Sequence, residues 1–272
     1  MSENPSPSGA LRACLIAALL VTLALLTWNV QLISRQIRDQ RAVSREHAFW
    51  TLCQPGHSSQ ERASAFSQLV AGGNTEWRSA RLAELNLEGA PLNGAQLDRA
   101  SFQRARLIKA NLARASITKG SFELADLTGA DLTQADLSEA HFYRANLAEA
   151  KLNRAKLTAA VLQEAKAQKT SFLVASLADS DCSMADFSNA NLGGADLSGA
   201  RLDGARFSGA NLSLTRLNDA KLRDADFTNS NWWRARGLTS SQIEILRRNF
   251  PPRENAPTAL KEDFDKWSKE RS

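Results

Sequence analysis

Residues 190–199 read Ala190-Asn191-Leu192-Gly193-Gly194-Ala195-Asp196-Leu197-Ser198-Gly199. Two consecutive five-residue units share one pattern: a small residue, a polar residue, a large apolar residue, then two turn-forming residues. Outward from this stretch, every fifth residue from Leu82 to Trp232 is apolar, 31 consecutive positions without a slip of register, the weakest being Ala167 and Cys182. A helix repeats its apolar residues about every 3.6 positions and a half-buried strand about every 2, so a period of five fits neither. A strict internal period fixes the architecture before any single residue is weighed. The chain must turn a corner every five residues, with Leu or Phe pointing inward and the small residue filling the remaining interior.

The number of sides per coil is readable from what repeats at longer range. Phe102, Phe122 and Phe142 are 20 apart, as are Phe187, Phe207 and Phe227; Phe172 and Phe187 are 15 apart, and no pair is 25 apart. The polar residue before each apolar one gives a second test. Asp131, Asp136, Asp181, Asp186 and Asp196 are each followed 20 residues later by Lys or Arg, whereas Asp126 is followed by Asn146. A shift of 25 gives four such pairs and a shift of 15 gives two, so the charges favour 20 and the Phe spacing carries the argument. Stacked coils lie roughly 4.8 Å apart, so opposite charges at this spacing are neighbours. The repeats then make about eight coils in a rod on the order of 40 Å long.

The units Ala130-Asp131-Leu132-Thr133-Gln134, Ala190-Asn191-Leu192-Gly193-Gly194 and Ala195-Asp196-Leu197-Ser198-Gly199 resemble the pentapeptide repeat family over residues 80–236. The resemblance implies a β-solenoid, a right-handed quadrilateral β-helix with four pentads per coil, in agreement with the 20-residue spacing. Departures are Leu85 in place of Ala, Gly120, Thr170 and Thr215 at the small position, and Ala167 at the central one. Residues 165–184 hold the most departures, so a bulge or local looseness is expected there.

The flanks predict a different organisation. Residues 1–12 are polar with Pro5, Pro7 and Gly9, and read as a disordered start. Residues 13–33 carry no charge and are rich in Leu, Ala and Val. That is about the length of a transmembrane helix, with Trp28 where interfacial aromatics are favoured. A cleaved signal peptide would end in small residues, but Thr27-Trp28-Asn29-Val30-Gln31 stands there; a lipoprotein signal would place its Cys after the apolar run, and Cys14 lies at its start. Arg12 is alone on one side, whereas Arg35, Arg38, Arg41 and Arg45 stand on the other, which predicts a single-pass anchor in the cytoplasmic membrane with the repeats on the cytoplasmic side. Three cysteines, Cys14, Cys53 and Cys182, suggest no disulfide framework.

Residues 34–79 are expected to form a juxtamembrane helix, broken at Pro55-Gly56, and an N-terminal cap. Ser58 and Glu61 have capping-box spacing, and Ala65, Phe66, Leu69 and Val70 make the helix amphipathic up to Gly72-Gly73. In residues 237–272, Thr239 to Gln242 repeats the capping-box spacing before a helix with Ile243, Ile245, Leu246 and Phe250 that stops at Pro251-Pro252. Gly237 to Gln242 resembles the G-L-T-x-x-Q segment in which pentapeptide repeat proteins often end. A last helix from Thr258 through Trp267 reads as mostly charged and solvent-exposed.

Nothing in this pattern resembles a catalytic site, and no cofactor or metal is expected. Cys53 and His57 form at most a two-ligand pair, whereas structural zinc takes four ligands. His141, beside Tyr143 and Arg144, reads as solvated surface, and the repeated carboxylates read as ladder partners rather than an acid–base pair in a cleft. The family resemblance raises the question of DNA mimicry, since some members bind gyrase as acidic rods. Residues 81–236 hold 20 Lys/Arg and 18 Asp/Glu, which does not fit a gyrase-binding mimic, and the interleaving of signs argues against nucleic-acid binding. Residues 81–120 hold seven basic and three acidic residues, next to Arg35, Arg38, Arg41 and Arg45, so this end of the rod is expected near anionic lipid headgroups. One outward patch is apolar: Leu173 and Val174 share a face with Gly193, Gly194, Leu214 and Trp233, which marks a protein-partner site unless the C-terminal segment covers it. The sequence reads as a membrane-tethered, non-enzymatic scaffold or interaction module, with a signal-relay domain on a dimerising anchor as the alternative.

Overall fold

A computed structural model describes residues 31, 58–71 and 77–270. The expected disordered start, the apolar span 13–33, the helix 34–53, the break at Pro55-Gly56 and the arginines at 35, 38, 41 and 45 lie outside these residues. Among the described residues no helix is long and apolar enough to cross a membrane.

The period of five is a turn repeated along the chain. Ala135 N–H donates to the Leu132 carbonyl at 3.0 Å, closing a four-residue turn, and Gln134 at its third position has φ of 60°. Positive φ at the third position alone is the type II pattern. Every such position from Ser79 to Asn229 has positive φ, and only seven of the 31 are glycine. A side chain in this region costs up to about 1–2 kcal/mol. The same N–H compensates by donating to the next coil, as Gln134 does to the Asn153 carbonyl at 2.9 Å. The polar residue of the motif serves the turn as well: Asp131 Oδ1 accepts from Thr133 N–H at 2.9 Å, and Asp196 Oδ1 from Ser198 N–H at 3.0 Å. Asp and Asn are the residues that make this local bond, which explains their place before the Leu.

All 27 bridges between coils are parallel and join residues 20 apart, from Arg81–Ser101 to Arg216–Arg236. Four pentads therefore make one coil. A corner every five residues leaves one bridged position per side, so among the described residues the ladder consists of isolated bridges rather than continuous strands. Trp77 extends the central series by one pentad beyond the sequence reading: it is buried and its N–H donates to the Gln96 carbonyl at 2.6 Å. With Trp77 the central residues number 32, four per coil over eight coils.

The interior is largely apolar and layered. Phe102, Phe122 and Phe142 stack at 4.9 and 4.7 Å, and Phe187, Phe207 and Phe227 at 5.2 and 5.0 Å on the adjacent side. The change of side occurs in the coil of Ala167, Phe172, Leu177 and Cys182. Here Phe172 meets Phe187 edge-on at 5.7 Å, one large residue set among small ones.

The expected bulge at residues 165–184 is not found. The bridges Val161–Asp181, Lys166–Asp186 and Ser171–Asn191 run through without a slip. The departures are accommodated inside: Thr170 Oγ1 donates to the Leu147 carbonyl at 2.6 Å and Ser180 Oγ to the Leu177 carbonyl at 2.7 Å. A hydroxyl satisfied by backbone costs little when buried. Gly120 has its own reason, since a Cβ there would lie 2.6 Å from Ile117 Cγ2.

Helices pack on both ends. In α1 (Ser59–Ala71) Ser58 and Glu61 form a reciprocal cap, with Ser58 N–H to Glu61 Oε2 at 2.8 Å, and buried Phe66 meets Trp77 edge-on at 4.9 Å. At the other end Trp232–Arg234 make one 3-10 turn. Helix α2 (Ser240–Asn249) starts from a Thr239 capping box, and α3 (Thr258–Lys269) follows it. The expectation of a solvent-exposed last helix is corrected: Phe264 lies 4.9 Å from Trp233, and Trp267 is buried 5.3 Å from Trp232. Leu260, Phe264 and Trp267 recur at helical spacing and form the stripe that docks on the last coil. Ile245, grouped by sequence with the packed residues of α2, is exposed.

Candidate functional site: outward faces and the C-terminal end

With the interior filled, the surfaces left for function are the ladders on the faces and the two ends. Four of the five expected acid-to-base pairs form: Asp136–Lys156, Asp181–Arg201 and Asp196–Arg216 at 3.5 Å, and Asp186–Arg206 at 3.9 Å. Asp131 and Lys151 share a backbone bridge without an ion pair. The exception in sequence, Asp126 with Asn146, is a hydrogen bond of 3.2 Å instead. Exposed pairs of this kind contribute at most about 1 kcal/mol each.

The ladder carboxylates are tuned by the turns. Burial by itself raises the Asp196 pKa, but the Ser198 hydroxyl and N–H and the Arg216 charge outweigh it, so the carboxyl is held below its ordinary 3.8. Asp181 and Asp186 are lowered in the same way, against burial, by Ser183 with Gln163 and Arg201, and by Ser188 with Gln168 and Arg206. Each serves as a turn acceptor as well as a ladder charge. Cys182 is enclosed, and burial pushes its thiol up to about 12, where no reactive thiolate exists at neutral pH. Arg144 meets Glu164 at 2.7 Å and lies 5.0 Å over the Tyr143 ring, so the residues beside His141 form a surface ladder. Among the described residues no group of three or more metal-ligating side chains comes together.

The apolar patch is divided by the structure. Leu173, Val174 and Leu214 are 43%, 56% and 55% exposed on one face. Gly193 and Gly194 lie between them, and a Cβ on Gly193 would sit 3.2 Å from Leu173 Cδ1. Trp233 does not belong with them. It is buried, its Nε1–H donates to Asp263 Oδ2 at 2.7 Å, and α3 covers it. Asp263 also pairs with Arg234, and the Arg234 hydrogen bonds hold its carboxyl low against burial. Sequence reading placed Trp233 on the face by register alone and had no signal that α3 would reach it. It also passed over Leu124 and Met184, which are exposed. Both occupy positive-φ turn positions, where the period already points outward.

A cleft of about 720 Å³ opens between the last coil and α2, lined chiefly by Leu222, Ala225, Ile245, Leu246 and Phe250, with Arg223 and Asp224 at its rim. Leu222 is the one central residue of the coils that is only half-buried. Sequence reasoning missed this site, because Leu222 obeys the repeat and its exposure depends on where α2 lands.

An eight-coil rod with satisfied ladders and a filled interior is a repeat solenoid, whose binding surfaces are faces and ends. The chain belongs to the pentapeptide repeat family: the family profile for pentapeptide repeats matches in eight copies over residues 78–118, 121–158, 155–194 and 195–231. Members of this family fold as right-handed quadrilateral β-helices. Among solved structures, the chain is similar to HetL, a pentapeptide repeat protein involved in heterocyst differentiation regulation in the cyanobacterium Nostoc. Identity is 28%, over 63% of this chain and 95% of HetL, with a TM-score of 0.43. It is also similar to a trypsin-treated form of QnrB1, a plasmid-mediated fluoroquinolone resistance protein, at 20% identity over 57% of this chain and 88% of that one, with a TM-score of 0.36. A third likeness is to a protein of the Arabidopsis thaliana thylakoid lumen, at 21% identity over 50% and 86% of the two chains, with a TM-score of 0.22. No curated protein matches the chain.

Proposed function

We propose that this chain is a membrane-tethered, non-enzymatic scaffold that holds a protein partner on the solenoid face carrying Leu173, Val174 and Leu214. The carrying observation is that these three side chains stay exposed even though the C-terminal helices have docked and covered Trp233. Apolar surface that the fold itself leaves open marks a partner site. The uncharged segment 13–33 serves as the single-pass anchor in the cytoplasmic membrane, with the coils on the cytoplasmic side. Arg35, Arg38, Arg41 and Arg45 rest near the anionic leaflet, each attracted by roughly 1 kcal/mol.

The test is proximity labelling from the native membrane with wild-type protein and a Leu173→Ser, Val174→Ser, Leu214→Ser variant. A partner labelled by the wild type and lost in a variant of unchanged melting temperature supports the reading. An unchanged labelling pattern, or loss of cooperative melting, refutes the face as an interface and makes the three residues part of the protein's own packing.

A further inference from the structure

The cleft at the C-terminal end has a hydrogen-bonding edge as well as an apolar floor. In every earlier coil the central N–H and the positive-φ N–H donate to the next coil, as Leu202 does to the Lys221 carbonyl and Gly204 to the Arg223 carbonyl, both at 2.8 Å. On the last coil the equivalent N–H groups of Leu222 and Asp224 have no acceptor among the described residues, and neither have those of Asp219, Phe227 and Asn229. The carbonyl on the same side is already used, since Gln242 Nε2 donates to Ala220 O at 3.3 Å. On the neighbouring side Phe250 covers the Phe227 ring edge-on at 6.0 Å, and Arg253 N–H donates to the Asn229 side-chain Oδ1 at 3.1 Å. The neighbouring side is thus screened by Phe250 and Arg253, whereas the Leu222 side is open, with two donors two residues apart, the half-buried Leu222 side chain as its floor and exposed Ile245 of α2 facing the same space. Unpaired edges of this kind accept a further strand, and the volume is that of a ligand-sized cleft, roughly 300–1,000 Å³.

We infer that this cleft binds an extended peptide segment of about one pentad, apolar at its centre, with an acidic residue opposite Arg223 and a basic residue opposite Asp224. Its carbonyls would accept from Leu222 and Asp224, and its central side chain would sit on Leu222 against Ile245. The charge preference follows the ladder's own rule. Stacked turn positions that are both charged carry opposite signs with one exception, Arg99 below Lys119: Glu84 pairs with Arg104 at 3.8 Å, Glu149 with Lys169 at 3.6 Å and Asp203 with Arg223 at 3.8 Å. The next tier above Arg223 and Asp224 takes an acid and a base in that order. This site is separate from the Leu173 face, so each reading stands or fails alone.

The test uses the full chain and two labelled, end-blocked peptides of identical composition, Ala-Asn-Leu-Glu-Lys-Ala and Ala-Asn-Leu-Lys-Glu-Ala, read by fluorescence polarisation. The first is expected to bind saturably, and the second about three- to tenfold more weakly, because two cross-ladder pairs change from attractive to repulsive. Asp224→Lys should shift preference toward the second peptide, and Ile245→Asp, at an exposed position, should abolish binding of both. Absence of saturable binding by the wild type up to about 1 mM, or equal affinity for the two peptides, overturns the proposal. Retention of wild-type binding by Ile245→Asp overturns the placement in the cleft.

Discussion

Replacing Phe207 by Leu isolates the energy of the aromatic ladder from that of the core. Leu is the residue at most central positions, including Leu202 and Leu212 on either side in the chain, so the substitution obeys the repeat and keeps the coil apolar. What it removes is two stacked contacts, 5.2 Å to Phe187 and 5.0 Å to Phe227, with interplanar angles of 8° and 15°. Aromatic pairs contribute about 0.5–1.5 kcal/mol each beyond area burial, so Phe207→Leu should cost about 1–3 kcal/mol. Phe187→Leu breaks one stacked contact and the edge contact with Phe172. The measurement is urea unfolding followed by tryptophan fluorescence, since Trp232 and Trp233 lie at this end of the stack. Two double-mutant cycles give the decisive comparison. Phe187 with Phe207 should couple by about 0.5–1.5 kcal/mol. Phe187 with Phe227, separated by a full coil, should couple by close to zero. Equal coupling in the two cycles refutes the ladder as a chain of nearest-neighbour contacts.

Two further outcomes follow from the turns and the cap. The folded-state pKa values of Asp181, Asp186 and Asp196 lie below their ordinary 3.8, so the stability they contribute is fully present above that pH and is lost as pH falls through the lowered values. Acid unfolding should therefore set in below about pH 4, and Asp196→Asn, which keeps an acceptor but cannot titrate, should flatten that dependence in a thermal-melt series; an unchanged pH profile would count against it. Gly237 has φ of 81°, and a Cβ there would lie 2.7 Å from the backbone nitrogen of Asn218. Gly237→Ala should loosen α2 and α3 by about 1–2 kcal/mol or more, detectable as faster proteolysis after residue 236 while the coils stay resistant; equal cleavage rates would refute the strain.

Much of the molecule was legible because the repeat is local. The Leu82 series, the Phe ladders and most of the Asp-to-basic pairs depend only on a period that the backbone must satisfy at every turn, so the 20-residue spacing in sequence became the bridge spacing in space. Where reading by pattern failed, position outside the period decided. Residues 165–184 break the consensus in letters yet not in geometry, because Thr170 and Ser180 return their hydroxyls to interior carbonyls. Trp77 obeys the period but stands one unit before its obvious start, and only its burial against Phe66 and its bond to Gln96 reveal it as the first rung.

The sequence by itself determined the coil: its period, its four sides, its inward and outward residues, and the near-balance of charge along it. Each of these is set by a residue's own backbone turn and by its neighbour 20 positions away. The tertiary structure alone decided which outward residues are surface, because that depends on where the terminal helices dock. Helix α3 buries Trp233 and leaves Leu173, Val174 and Leu214 exposed. Phe250, just after α2, covers the Phe227 ring while Leu222 stays half-buried, and so the Leu222 side of the last coil is left open.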